Sequence, residues 1–170
     1  MDSSSLRELQ APLKDRYRAD PASARTPLSA RGDYRDDGVT CTVESWAGPV
    51  RAGLHRSTGG DGSDACSGDM LLEALLACAG VTLRSVATAM GLRLHAATLR
   101  ADGLFDARGT LGIDKQAAVG VQDIVVTIEV DSDADDASLE RLGRSTERYC
   151  VVGQTLRENP KIIVRRSERG

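Results

Sequence analysis

Residues Ser67 to Met90 read SGDMLLEALLACAGVTLRSVATAM. Apolar residues occur here at every helical spacing, and between Met70 and Leu83 the only charge is Glu73. The stretch predicts a helix that is apolar almost all round, and such a helix has to be covered on most of its circumference. Ser67 or Asp69 can cap its start by offering a side-chain oxygen to the first free N–H groups. Gly91 stops it. A chain of 170 residues has few other elements with which to surround it. The simplest arrangement is a central helix wrapped by its own sheet and by a second subunit. Met70 to Val81, the longest apolar run, falls short of the roughly 20 residues that cross a bilayer and carries Glu73 within it.

Working outward, the segments before this helix read as strands. Val39-Thr40-Cys41-Thr42-Val43-Glu44 is rich in β-branched residues and follows the turn signal Asp36-Asp37-Gly38. Gly48-Pro49 turns the chain, so Val50–His55 is expected to return as its antiparallel partner. Pro27–Tyr34 is a further candidate strand. Ser57 to Asp64 is a loop by composition. It has neither G-x-G-x-x-G spacing nor a Gly-Lys-Ser/Thr ending, which excludes a nucleotide loop of those kinds. Residues 1–26 read as a helical extension: Leu6, Leu9, Leu13 and Tyr17 recur at spacings of three and four. Pro12 is expected to kink or interrupt that helix. Residues 27–170 form the main domain.

After the helix come strands at Leu92–Phe105 and Asp123–Val130, with Asp106–Gly120 a loop or weak hairpin between them. In the second strand Ile124, Val126, Ile128 and Val130 share one face by period two. The acidic run Asp131 to Asp136 precedes a helix at Ala137–Tyr149, where negative charge complements the helix N-terminus. A short helix at Val151–Arg157 and a strand at Lys161–Arg165 close the chain.

Composition narrows the function classes. Net charge is -3, with 22 basic residues scattered among 25 acidic ones, which argues against the basic face a nucleic-acid binder needs. The five aromatic residues are dispersed and cannot form a row of base-stacking platforms. Met1–Arg18 has no apolar segment of the secretory kind, so a cytoplasmic protein is expected. In that compartment four cysteines (Cys41, Cys66, Cys78 and Cys150) point to reduced, catalytic or metal-binding roles rather than a disulfide framework.

Cys78 stands in mid-helix among Ala77, Ala79 and Gly80, small residues that let another group approach. Cys150 stands at a break between two predicted helices, where free N–H groups can favour a thiolate. Each is also compatible with an inert cysteine that fills core space, and Cys41, alternating with β-branched residues, reads as structural. His55, Cys66, Cys78 and Cys150 could in principle hold zinc, but their separations match no common ligand spacing. Nothing in the sequence places His55 or His95 beside a cysteine.

The helix segment Asp69-Met70-Leu71-Leu72-Glu73-Ala74-Leu75-Leu76-Ala77-Cys78 resembles that of the osmotically inducible protein C / organic hydroperoxide resistance (OsmC/Ohr) family: an acidic residue near the helix start, a Leu/Ala-rich run, then a cysteine. Tyr149-Cys150-Val151-Val152-Gly153-Gln154-Thr155-Leu156 is similar to that family's second cysteine motif, and the Gly59-Gly60-Asp61-Gly62 loop is also shared. The resemblance covers roughly residues 38–165. It implies an α+β fold in an intertwined homodimer, with long central helices wrapped by antiparallel-rich sheets.

The reaction it implies is thiol-dependent reduction of organic hydroperoxides, in oxidative-stress defence, with no cofactor, metal, nucleic acid or membrane. In this reading Cys78 is the peroxidatic thiol, Cys150 the resolving thiol, and an external dithiol the reductant. Asp69 matches the acidic residue of the helix start, with Ser67-Gly68 in place of the family's Pro-x. The family's thiolate-stabilising arginine has three candidate positions, Arg31, Arg51 and Arg56. A non-catalytic member of the same fold, binding a small apolar ligand, is the alternative. Cys66 is an additional cysteine.

Overall fold

Period-two alternation and period-3.6 stripes lie where the sequence places them. A computed structural model describes residues 1–35, 37–156 and 161–166, with the backbone alone at 161 and 162. The chain is α+β, and its elements run α1 (Ser3–Ala19), β1 (Gly32–Asp33), β2 (Cys41–Ser45), β3 (Gly48–Gly53), β4 (Ala65–Cys66), α2 (Ser67–Ala89), β5 (Leu94–Leu104), α3 (Ala107–Thr110), β6 (Gln122–Ser132), α4 (Asp136–Tyr149), α5 (Val151–Thr155) and β7 (Lys161–Arg166). Single 3-10 turns add Pro21–Ala24 and Arg56–Thr58.

Contacts divide the chain into two compact units, one of Met1–Pro27, Leu75–Ala101 and Val125–Gly170, the other of Leu28–Ala74 and Asp102–Ile124. The second unit holds a sheet of order β1-β2-β3-β4. β2 and β3 are antiparallel, with Cys41 opposite Ala52 and Val43 opposite Val50. The connecting turn is tight, and Gly48 takes a φ of 124° that a side chain would oppose. β4 adds in parallel to β3. Of the expected Pro27–Tyr34 strand only Gly32–Asp33 pairs, opposite Val43 and Thr42.

The first unit is built around a sheet of order β5-β6-β7, in which β6 and β7 are parallel. The alternation in β6 becomes burial: Val126, Ile128 and Val130 are fully buried. Ser132 continues that buried face, and its hydroxyl donates to the Arg93 carbonyl at 2.7 Å, tying the end of β6 to the start of β5. α4 is amphipathic, burying Leu139, Leu142, Gly143 and Thr146. It lies against β7, and a Cβ at Gly143 would sit 3.4 Å from the Val164 side chain. The acidic run before α4 is a cap, as expected. Asp135 Oδ1 accepts from the Ser138 N–H at 2.6 Å, and the Ser138 hydroxyl together with that N–H holds its carboxyl below the usual range.

α1 runs through Pro12 without interruption. Proline there removes one backbone donor, and on this exposed helix water can serve the freed carbonyl.

α2 is 23 residues long and buries one stripe, Leu75, Ala79, Leu83 and Ala87, at a spacing of four. Gly80 lets it approach β5, since a Cβ there would stand 3.3 Å from the Leu99 side chain. Arg84 Nη1 donates to the Leu94 carbonyl at 3.2 Å. Much of the rest of this apolar helix is only half-buried by the described residues, and Val81 is 74% exposed. By length and composition alone α2 is also long and apolar enough to cross a membrane.

Candidate functional site

Cys78 and Cys150 are 72 positions apart in sequence numbering, and the fold joins them within the first unit. Cys78 sits in mid-α2, half-buried. Cys150 sits at the joint of α4 and α5, fully buried. Its backbone is extended, with φ -72° and ψ 101°, so it ends one helix and begins another. The Cys150 N–H donates to the Thr146 carbonyl at 2.9 Å, and the Gln154 N–H donates to the Cys150 carbonyl at 2.9 Å. This break exposes the first N–H groups of α5, which have no partner inside the helix. One finds the thiol opposite: the Val152 N–H donates to Cys78 Sγ at 3.5 Å.

The two thiols influence each other and are driven in opposite directions. For Cys78 burial is the largest single influence and pushes the thiol up. It is outweighed by the Val152 N–H, the Cys150 thiol, the Val151 N–H and the Thr82 hydroxyl, so Cys78 ends below the ordinary thiol value. For Cys150 burial again pushes up, and the neighbouring Cys78 reinforces it, so Cys150 ends above. These surroundings make Cys78 the more acidic of the two thiols. A thiolate is the attacking form of cysteine.

Asp69 lies nine residues before Cys78 on the same helix. It is exposed in the first turn of α2, within the other unit, where its charge suits the helix N-terminus. Of the arginines considered from sequence, Arg31, Arg51 and Arg56 all belong to that second unit. Arg51 is paired with Asp64 at 2.5 Å. The histidines are also elsewhere. His55 Nδ1 accepts from the Ser57 N–H at 3.1 Å, and its ring meets Phe105 edge-on at 5.3 Å. His95 Nε2 lies 3.0 Å from Asp133. Cys66 lines a separate cleft of about 270 Å³ in the second unit, with Leu54, His55, Phe105 and Val121. All four cysteines are free. Among the described residues no group of three or more His, Cys, Asp or Glu is placed to hold a metal ion.

Thr82 and the backbone N–H groups of Val151 and Val152 were missed by the sequence reading. A helical spacing of four from Cys78 was available as a signal for Thr82. For the N–H groups the only signal was the helix break after Tyr149.

A family model described as OsmC-like protein matches residues 60–165. No curated protein gives a significant match. Among solved structures the chain is similar to an OsmC-like protein of unknown function from Vibrio cholerae, at 12% identity and a TM-score of 0.66, covering 84% of this chain and 100% of that one. An OsmC-like protein from Mycoplasma pneumoniae is similar at 17% identity and a TM-score of 0.65, covering 84% and 96%. So is an organic hydroperoxide resistance protein from Elizabethkingia anophelis, at 12% identity and a TM-score of 0.66, covering 85% and 99%.

Proposed function

Starting from the membership of this chain in the OsmC-like family, we propose that it is a two-cysteine peroxidase that reduces organic hydroperoxides in oxidative-stress defence. The observation that carries this reading is the meeting of Cys78 with the helix break at Cys150, where the Val152 N–H donates to Cys78 Sγ at 3.5 Å, with Cys78 lowered and Cys150 raised. The Cys78 thiolate attacks the peroxide O–O bond. One oxygen stays on sulfur as sulfenic acid, and the other leaves as alkoxide and takes a proton to become the alcohol. The Cys150 thiol then attacks the sulfenic sulfur, which releases water and forms a Cys78–Cys150 disulfide. An external dithiol gives up two electrons and two protons to restore both thiols. A raised value on Cys150 keeps it protonated until the sulfenate forms, which leaves Cys78 as the first nucleophile.

The same reading takes the working form as a homodimer. Its support is that α2 buries a single stripe within its own chain while Val81 stands 74% exposed. A second copy laid against that surface would remove it from water at about 25 cal/mol per Å² of apolar area. Four free cysteines suit a reducing, cytoplasmic setting.

The test is hydroperoxide consumption driven by a dithiol, comparing the native protein with Cys78→Ser. Loss of turnover in the variant is expected, and undiminished turnover overturns the assignment. Sedimentation of the native protein at micromolar concentration should give twice the 18.1 kDa chain mass, and a monomer would refute the dimer.

A further inference from the structure

Thiol–disulfide exchange begins when a thiolate strikes one sulfur of the disulfide, so the sulfur that is struck has to be open to it. The two thiols of this protein are not equally open. Cys150 has no exposed surface. It follows the buried face of α4, where Leu142 and Thr146 are also fully buried, and Gly153 is buried just beyond it in α5. Cys78, in mid-α2, keeps part of its surface. The Val152 N–H reaches its sulfur at 3.5 Å from the helix break that carries Cys150, which leaves the exposed part of Cys78 for an incoming molecule. A second copy of the chain can only cover more surface, so association opens no route to Cys150.

We infer that the reductant enters through Cys78: its thiolate attacks Cys78 Sγ of the Cys78–Cys150 disulfide, and Cys150 is the leaving group. This deepens the two-cysteine reading and rests on it. In that reading the peroxide reaches Cys78, and the same opening admits the thiol. A thiolate of the dithiol bonds to Cys78 as the Cys78–Cys150 bond breaks. The electron pair goes to Cys150 Sγ, which takes up a proton. The second thiol of the dithiol loses its proton and attacks its own bound sulfur. A cyclic disulfide departs, and Cys78 leaves as thiolate, so two electrons pass from the dithiol to the protein. Acidity argues the other way for the first step. Cys78 is the more acidic thiol and the better leaving group, which favours attack on Cys150. That preference is graded, whereas a sulfur without exposed surface is not struck until the joint of α4 and α5 opens. Access decides the first step, and the acidity of Cys78 assists the second.

In the experiment the native protein is oxidised with one equivalent of diamide, so no peroxide turnover is needed. Peptide mass spectrometry identifies the crosslinked thiols. The oxidised protein is then mixed with cysteamine, a monothiol that cannot complete the second step, and quenched in acid at short times. Peptic peptides should carry the cysteamine mass on Cys78 and a free thiol at Cys150. Adduct on Cys150, or on both in equal amount, overturns the inference and leaves the two-cysteine reading standing. In urea that unfolds the oxidised protein the preference for Cys78 should be lost. A preference that persists there also overturns the inference, because burial would not be its cause. If diamide yields no Cys78–Cys150 crosslink, the two-cysteine reading falls, and the inference falls with it.

Discussion

Oxidation should make this protein markedly more stable, and the size of the effect follows from where the two thiols lie. A Cys78–Cys150 disulfide would close a loop of about 70 residues. The entropy removed from the unfolded chain by such a loop is worth about 4 kcal/mol at room temperature. Strain in the folded state subtracts from that figure. Here the N–H of Val152, two residues beyond Cys150, already donates to Cys78 Sγ at 3.5 Å, and Cys150 sits at a helix joint with an extended backbone, so little should be lost. For a chain of this size each kcal/mol moves Tm by roughly 2–4 °C, which gives about 8–16 °C in all. The assay is thermal or urea unfolding of protein treated with one equivalent of organic hydroperoxide against protein kept in dithiol, at one protomer concentration so that association does not enter. Counting free thiols verifies that two have been consumed. Cys78→Ser and Cys150→Ser should show no redox-dependent shift. If the oxidised native protein were less stable than the reduced form, or if the shift persisted in Cys150→Ser, the two thiols would not be set for direct bonding and the reasoning would fail.

Other expectations are simpler to check. Alkylation of Cys78 should begin at lower pH than that of Cys150, because the first thiol is lowered and the second raised. Peptide-level mass spectrometry reads both, and the reverse order would exchange their roles. By linkage, the lowered Cys78 adds stability above its unfolded value, and that contribution is lost as pH falls through its folded value. The raised Cys150 contributes stability below its unfolded value, and this is lost as pH climbs through its folded one. Leu142→Ala removes a fully buried side chain from α4 and should cost about 2–5 kcal/mol in urea unfolding. Asp135→Ala removes the oxygen that accepts the Ser138 N–H. It should cost about 1 kcal/mol, and a change under a few tenths would show that this cap is not holding α4.

Local pattern made much of the architecture readable. The period-two face of β6 needs nothing beyond its own residues to declare itself, because each apolar side chain of that set emerges on the same side of the strand. Val126, Ile128 and Val130 are buried as expected. The β2–β3 pairing was likewise readable from β-branched residues on either side of a glycine turn, and α2 from an apolar run broken only by Glu73. β4, two residues long, left no such trace, because so short an edge strand exists only where a neighbouring strand offers it partners. β1 shrank to two residues for the same reason: Pro27–Tyr34 has strand-compatible composition but finds ladder partners only at its end. At Pro12 the sequence shows a missing donor, and the helix continues through it without interruption.

The site divides in the same manner. The sequence alone determined which cysteines stand at distinctive positions, one in mid-helix among small residues and one at a helix break, because both properties belong to the few residues around each. It could not determine that the two meet, nor that their ionisation is driven in opposite directions. Those depend on which N–H groups and hydroxyl reach each sulfur, and on how deeply each is buried. Asp69 shows the limit from the other side. Its position near the helix start was legible, but its exposure in the second unit was not. Hydrogen bonding and desolvation act over a few ångströms in space, while the groups concerned are separated along the chain by up to 74 positions, so only the folded structure decides them.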